Sequence, residues 1–250
     1  MLTGGLQKLT TLDFPGVVGS IVFTRGCNFR CPYCHNPELV ALGFYLKNSG
    51  TSSQHAQSDI PSPTASACNE RSASASETAN ATPQNDLLTA LEPRAEMEEL
   101  FRFLHKRRGL IDGLVISGGE PCLQPDLPDF CREVRKLGYR IKLDTNGSRP
   151  RMLERLLTDS LLDYVAMDLK TLPEVYTEIG ICAEPDTGEK LLLSIDMLQC
   201  GVPHEFRSTC VAPFISEDNI EDLARLVGAD SPWFFQKASL ENVLDSSADM

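Results

Sequence analysis

The chain has 250 residues, 42% of them apolar, which is enough to bury the core of one large domain or two small ones. Thirty-five acidic residues against 23 basic ones give a net charge of −12, arguing against a nucleic-acid-binding face as the main business. No apolar run reaches the roughly 18 residues of a membrane span, the start Met1–Lys8 lacks the apolar centre of a secretion signal, and nine cysteines form no evident disulfide framework, so the expected setting is cytoplasmic and reducing.

In chain order, Asp13-Phe14-Pro15-Gly16 has the chemistry of a type II turn, in which proline presets φ and glycine takes the positive φ that follows. It delivers the chain into an apolar run, 17–24, that reads as a buried strand. Cys27, Cys31 and Cys34 follow, spaced C-x3-C-x2-C. Three thiolates on one short loop can hold three irons of a cubane cluster, whereas full protein ligation takes four. The fourth iron is then open to a small molecule. A structural zinc site also takes four ligands. His35 offers a fourth, but no second C-x2-C occurs in the chain. Residues 48–86 are rich in Ser, Ala and Thr and contain no aromatic residue. Such a segment buries too little surface to offset the entropy of ordering, so a disordered insertion is expected there, with Cys68 a thiol without a role.

Beyond the insertion, apolar runs at 112–117, 139–144, 163–168, 205–211 and 232–236 alternate with helix-like segments at 87–109, 125–137, 149–159, 188–200 and 217–228. The last helix carries start and stop signals: Ser216 as cap, Glu217 and Asp218 in the first turn, Gly228 at the end. The pattern predicts an α/β fold with a parallel sheet and helices outside. Periodicity alone does not separate a partial barrel from a doubly wound open sheet. The expected organisation is 1–47 for the N-terminal segment, first strand and cysteine loop, 48–86 for the insertion, 87–237 for the rest of the barrel, and 238–250 for a tail.

Polar clusters close the strands. Ser117-Gly118-Gly119-Glu120-Pro121 follows the second strand, and its glycines allow close backbone approach to a ligand. Glu120 either accepts a hydrogen bond from a ligand ammonium or shapes the turn, and Cys122 reads as a small hydrophobe beside it. Lys142-Leu143-Asp144-Thr145-Asn146-Gly147 and Ala166-Met167-Asp168-Leu169-Lys170 end the next two strands. In a parallel sheet these ends share one edge, where ligands bind. Asp144 and Asp168 there can share a ribose, a monovalent cation or Lys170, and Lys170 can meet a carboxylate. Arg207 needs a partner on its buried strand, either a barrel carboxylate or a ligand carboxylate. Cys131, Cys182, Cys200 and Cys210 lack ligand spacing and read mostly as core or boundary residues, while His105 and His204 are isolated.

The cysteine spacing, with Tyr33 before the third cysteine, and the glycine-rich turn resemble the radical S-adenosylmethionine (SAM) superfamily. From residue 4 to about 211, the segments G-G-L-Q-K-L-T-T-L-D-F-P-G, T-R-G-C-N-F-R-C-P-Y-C-H-N-P, I-S-G-G-E-P, K-L-D-T-N-G, M-D-L-K and E-F-R-S-T resemble the activating proteins of anaerobic ribonucleoside-triphosphate reductases. The resemblance implies a partial (β/α)6 barrel with Cys27, Cys31 and Cys34 holding a [4Fe–4S] cluster. It implies that S-adenosyl-L-methionine is bound by Tyr33, Cys34, His35, Gly118, Gly119, Glu120, Asp144, Asp168, Lys170 and Arg207. It further implies electron delivery by flavodoxin or ferredoxin, release of a 5′-deoxyadenosyl radical, and hydrogen abstraction from a glycine of an anaerobic ribonucleotide reductase. The alternatives are an activating enzyme for another glycyl-radical enzyme such as pyruvate formate-lyase, and a metal-binding module without catalysis.

Overall fold

Seven strands form one sheet in the order of the chain, β1 to β7: Thr3–Thr10, Gly19–Thr24, Gly113–Gly118, Arg140–Thr145, Tyr164–Asp168, His204–Cys210 and Trp233–Lys237. The computed structural model describes residues 1–40, 93–177 and 183–238, with the side chains of the first helix from Glu96 onward. The expected insertion at 48–86, Cys68, Cys182 and the tail from 239 lie outside the described residues. β2 to β7 pair in parallel, and β1 adds antiparallel to β2. β1 and β7 stand at the two ends of the sheet and do not pair with each other, so the six parallel strands make an unclosed, partial barrel. Among the described residues no helix is long and apolar enough to cross a membrane.

Helices α1 (Pro93–Arg107), α2 (Leu127–Lys136), α3 (Pro150–Thr158), α4 (Thr187–Gln199) and α5 (Ile220–Val227) fill the connections. Each buries one stripe against the sheet: Leu127, Phe130, Cys131 and Val134 of α2 and Leu191, Ser194, Ile195 and Leu198 of α4 recur at i, i+3, i+4 and i+7. They pack on the outward side chains Leu114, Ile116, Ile141, Leu143, Val165, Met167 and Phe206. The inward face has a smaller apolar floor of Phe14, Val17, Ile21 and Val115.

All six parallel strands fall within two residues of their expected bounds. Ser216 Oγ accepts from Asp218 N at 3.3 Å, as a cap would, but the residue in the cap position of the helix itself is Asn219. α5 starts three residues later, at Ile220, because the Asn219 side chain folds back, accepting from Ser216 N at 3.0 Å and donating to the Phe214 carbonyl at 2.8 Å. This holds 216–219 as a turn ahead of the helix. Gly228 ends it with φ +74° as expected. The turn at Pro15-Gly16 is also as expected, with Gly16 at φ +68° and Val17 N donating to the Phe14 carbonyl at 3.0 Å. Its role extends further: Phe14 lies in the barrel floor, 6.2 Å from the Tyr164 ring, and the Asp13 carbonyl accepts from the buried Lys142 ammonium at 2.5 Å.

Candidate active site

The cysteine loop leaves β2 at Thr24 and is anchored from both sides. Arg25 N donates to the Leu2 carbonyl at 3.0 Å and Gly26 N to the Leu39 carbonyl at 2.6 Å. Two aromatic residues fasten the loop to the far side of the barrel. Phe29, 1% exposed, lies 5.7 Å from the Tyr176 ring, and Tyr33 meets Phe214 edge-on at 5.0 Å. Polar contacts tie it to the end of β4: Asn28 donates to Ser148 Oγ at 2.9 Å and accepts from Asn146 Nδ2 at 3.1 Å.

The turn after β3 docks against this loop. Gly119 N donates to the Thr24 carbonyl at 3.0 Å and Glu120 N to the Gly26 carbonyl at 2.7 Å. A Cβ on Gly118 would stand 2.3 Å from Thr24 N, and one on Gly119 2.2 Å from the Gly26 carbonyl oxygen. The glycines therefore permit close approach of backbone to the cysteine loop, a use that sequence alone assigned to a ligand.

Glu120 takes the turn-shaping role. It is wholly buried and accepts from Cys122 N at 2.9 Å, Thr145 Oγ1 at 2.7 Å and Asn146 N at 2.7 Å, joining the ends of β3 and β4. Burial raises its pKa, and those three donors work against the rise. It does not line the pocket described next.

A cavity of about 160 Å³ sits at the carboxyl ends of the strands. It brings together Cys27, Cys31, Tyr33, Cys34 and His35 from the loop with Gly118, Gly119, Asp144, Asp168, Lys170 and Arg207 from β3 to β6. Apart from Glu120, every residue that the sequence placed at the site lies on this one wall. Arg207 pairs with two barrel carboxylates, Nη2 lying 3.4 Å from Asp144 Oδ2 and Nε 3.2 Å from Asp168 Oδ1, while Lys170 Nζ lies 3.4 Å from Asp168 Oδ2. Asp144 and Asp168 thus share Arg207, which takes the barrel-carboxylate alternative expected from sequence, with two carboxylates in place of one. Burial would raise the Asp168 pKa, but Lys170 and Arg207 outweigh it and hold the carboxyl below its ordinary value. Burial likewise opposes the Lys170 charge, yet Asp168 holds that ammonium well above its ordinary pKa.

Sequence reasoning passed over several residues of the wall, Asn146, Thr209 and Gln236 among them. Asn146 was visible in D-T-N-G but was not singled out there. Thr209 stands two residues after Arg207, and Gln236 pairs with it across β6 and β7. The strand period of two was the signal for both. Of the remaining cysteines and histidines, Cys122 and Cys131 are buried, Cys200 and Cys210 are exposed, and His204 is satisfied by the Val202 carbonyl and Ser231 Oγ, each at 3.0 Å.

The donor set fits a cluster with an added small molecule. The three thiols are free of disulfides and line one pocket. Among the described residues no three His, Cys, Asp or Glu side chains converge as a single ion requires. Thiols spread around a cavity suit a polynuclear cluster that offers a separate iron to each. Burial pushes the Cys27 thiol up to about 12 and raises that of Cys31, so each must hand its proton over as metal binds. The buried Tyr33 Oη has no hydrogen-bond partner, and Asp144 Oδ1 is met only by the Lys142 ammonium at 3.3 Å, leaving polar capacity for a ligand. The wall carries both signs of charge, as SAM does with its carboxylate, ammonium and sulfonium.

Comparison with known proteins agrees with this geometry. The family model for the radical SAM superfamily matches residues 21–227. A proposed glycyl-radical enzyme activating enzyme of Methanocaldococcus jannaschii is 31% identical, over 90% of this chain and 75% of the relative. The isethionate sulfite-lyase activating enzyme of Nitratidesulfovibrio vulgaris is 26% identical, over 90% of this chain and 78% of the relative. The pyruvate formate-lyase-activating enzyme of Listeria monocytogenes is 24% identical, over 70% and 55%. A metal-bearing module without catalysis is thereby set aside. The chain belongs to the radical SAM superfamily and is an enzyme that uses a [4Fe–4S] cluster and S-adenosylmethionine.

Proposed function

We propose that the protein is an activating enzyme that reductively cleaves S-adenosylmethionine to install a glycyl radical on an anaerobic ribonucleoside-triphosphate reductase. The observation that carries the reading is the single wall on which three free thiols and the paired charges Asp144, Arg207, Asp168 and Lys170 meet. Its extension to glycyl-radical partners rests on the activating relatives, and its extension to the reductase on the motifs that run from the N-terminal turn to Arg207.

Cys27, Cys31 and Cys34 are the residues to hold the cluster. Gly118 and Gly119 bring the β3 turn against the cluster loop, so the wall and the loop keep one geometry. Lys170 and Arg207 offer cations to a methionyl carboxylate, and Asp144 and Asp168 offer acceptors to an ammonium or ribose. When bound, the cluster and S-adenosylmethionine supply a carbon-centred radical able to take a hydrogen atom from a glycine α-carbon. Hydrogen-atom abstraction needs no general acid or base, and the ionised groups of the wall are paired with one another instead of standing singly. Flavodoxin or ferredoxin is the proposed electron donor.

The test is anaerobic reconstitution of the protein with the reductase, S-adenosylmethionine and a reductant, followed by electron paramagnetic resonance. The expected result is a doublet on the reductase that collapses when its glycine α-position is deuterated. Cleavage of S-adenosylmethionine with no radical on the reductase, and activation of pyruvate formate-lyase instead, would refute the choice of partner. The Listeria relative makes that the second reading.

A further inference from the structure

We infer that the inner face of β7, Phe234 together with Gln236, is the wall against which the glycine-bearing segment of the partner protein is seated. Phe234 is then a specificity-determining contact. This rests on the activating function proposed above.

The register places the residues. Phe234 stands opposite Arg207 and Gln236 opposite Thr209 in the parallel pairing of β6 and β7. Residues paired in this way share a face of the sheet. Arg207, Thr209 and Gln236 all line the cysteine pocket, so Phe234 is on the pocket side, one step further from the cysteines' edge. On the inner face Phe14, Val17, Ile21 and Val115 are buried in the floor, with Phe23 and Tyr164 partly buried against them, whereas Phe234 is 52% exposed. Core packing does not account for an aromatic ring left half in water on the concave, reactive side of the barrel. Its neighbour Phe235 is 47% exposed but lies on the opposite face, at 4.4 Å from the Trp233 ring, whose Nε1 donates to Ser208 Oγ at 3.0 Å.

Position and chemistry name the occupant. β7 is the last strand of an unclosed sheet, and among the described residues no strand pairs with its outer edge. Such an edge offers N–H and C=O groups to an extended chain. Hydrogen abstraction works only at contact, so the target glycine must reach the pocket. Glycine has no side chain by which to be recognised, so its flanking residues must be read by surfaces continuous with the pocket. The β7 face meets that condition: Gln236 already belongs to the pocket, and Phe234 adds an apolar contact on the open side.

The test uses the full chain, anaerobically reconstituted and saturated with S-adenosylmethionine, and measures its dissociation constant for intact anaerobic ribonucleotide reductase. Phe234→Ala is expected to weaken binding about tenfold, and Phe234→Tyr to retain most of it. Phe235→Ala, which removes an equally exposed ring from the other face, is expected to stay within about twofold of the parent. Matching iron and sulfide contents show that each variant keeps its cluster. Parent-like binding by Phe234→Ala, or equal weakening by Phe235→Ala, overturns the inference. If the parent binds pyruvate formate-lyase and not the reductase, the choice of partner fails, and the same variants decide the β7 wall against that enzyme. If it binds no glycyl-radical protein, both proposals fall.

Discussion

Replacing Gly119 by alanine tests whether the β3 turn and the cysteine loop form one unit. The added Cβ would lie 2.2 Å from the Gly26 carbonyl oxygen and 2.6 Å from its carbon, both backbone atoms. Ordinary contact begins at 3.4 Å, so the two segments must part by about 1.2 Å. A shift along the Glu120 N to Gly26 O bond, now 2.7 Å, stretches it to about 3.9 Å, beyond hydrogen-bonding range. One lost hydrogen bond costs about 1 kcal/mol and overpacking a further 1–3, together about 2–4 kcal/mol. Gly26 adjoins Cys27, so the displacement passes straight into the cluster ligands. A misplacement of about 1 Å can reduce a rate about a hundredfold. The assay is S-adenosylmethionine cleavage by the anaerobically reconstituted protein with a chemical reductant, alongside iron content. Gly5→Ala is the control, since its Cβ meets nothing closer than Phe23 Cδ2 at 4.0 Å. A Gly119→Ala protein with a full cluster and a cleavage rate within about threefold of the parent would refute the reasoning.

Cys27→Ala, Cys31→Ala and Cys34→Ala are each expected to abolish the cubane cluster, while Cys131→Ala and Cys200→Ala keep it; iron and sulfide analysis distinguishes them. Lys142→Met removes an ammonium that lies 3.3 Å from both Asp144 and Glu205 at 2% side-chain exposure. Losing one member of a buried pair costs about 3–5 kcal/mol, or roughly 10 °C in thermal midpoint for a chain of this size. Adding Glu205→Gln should recover part of that loss, and an unchanged midpoint in Lys142→Met would refute the role. Arg207→Lys keeps the charge but cannot span Asp144 and Asp168 from a planar fork, so the KM for S-adenosylmethionine should rise about tenfold with full cluster content.

The parallel strands were legible because a strand buried on both faces reads as a continuous apolar run, as Leu114-Val115-Ile116 does. β1 was not. Gly4 and Gly5 weaken its strand signal, and its burial at 3–10 follows no alternation, so only its pairing with β2 makes it a strand. At the site, the residues drawn from strand ends were legible because parallel strands deliver their carboxyl ends to one edge. Who touches whom was less so. Glu120 was open to two roles, and the choice depends on Thr145 and Asn146, 25 and 26 residues away. Arg207 visibly needed a carboxylate, but pattern alone does not say that it takes two. Phe234 carried no local signal at all: W-F-F-Q-K reads as a buried strand, and only its place at the open end of the sheet leaves it half exposed.

The barrel interior explains how the wall stays charged. Arg207, Lys142 and Lys170 face Asp144, Asp168 and Glu205, three cations for three carboxylates. Below them, the Phe14 turn closes the floor with apolar contacts and lends the Asp13 carbonyl to Lys142. An unpaired charge at this depth would change its protonation state or draw the chain apart. With these six charges matched inside the protein, the wall is assembled before any ligand arrives. A ligand carrying both signs then exchanges partners with existing pairs and leaves the interior balanced. The turn L-D-F-P-G, read from sequence only as delivering the first strand, is on this account part of the site's foundation, because it supplies the floor on which the charged layer stands.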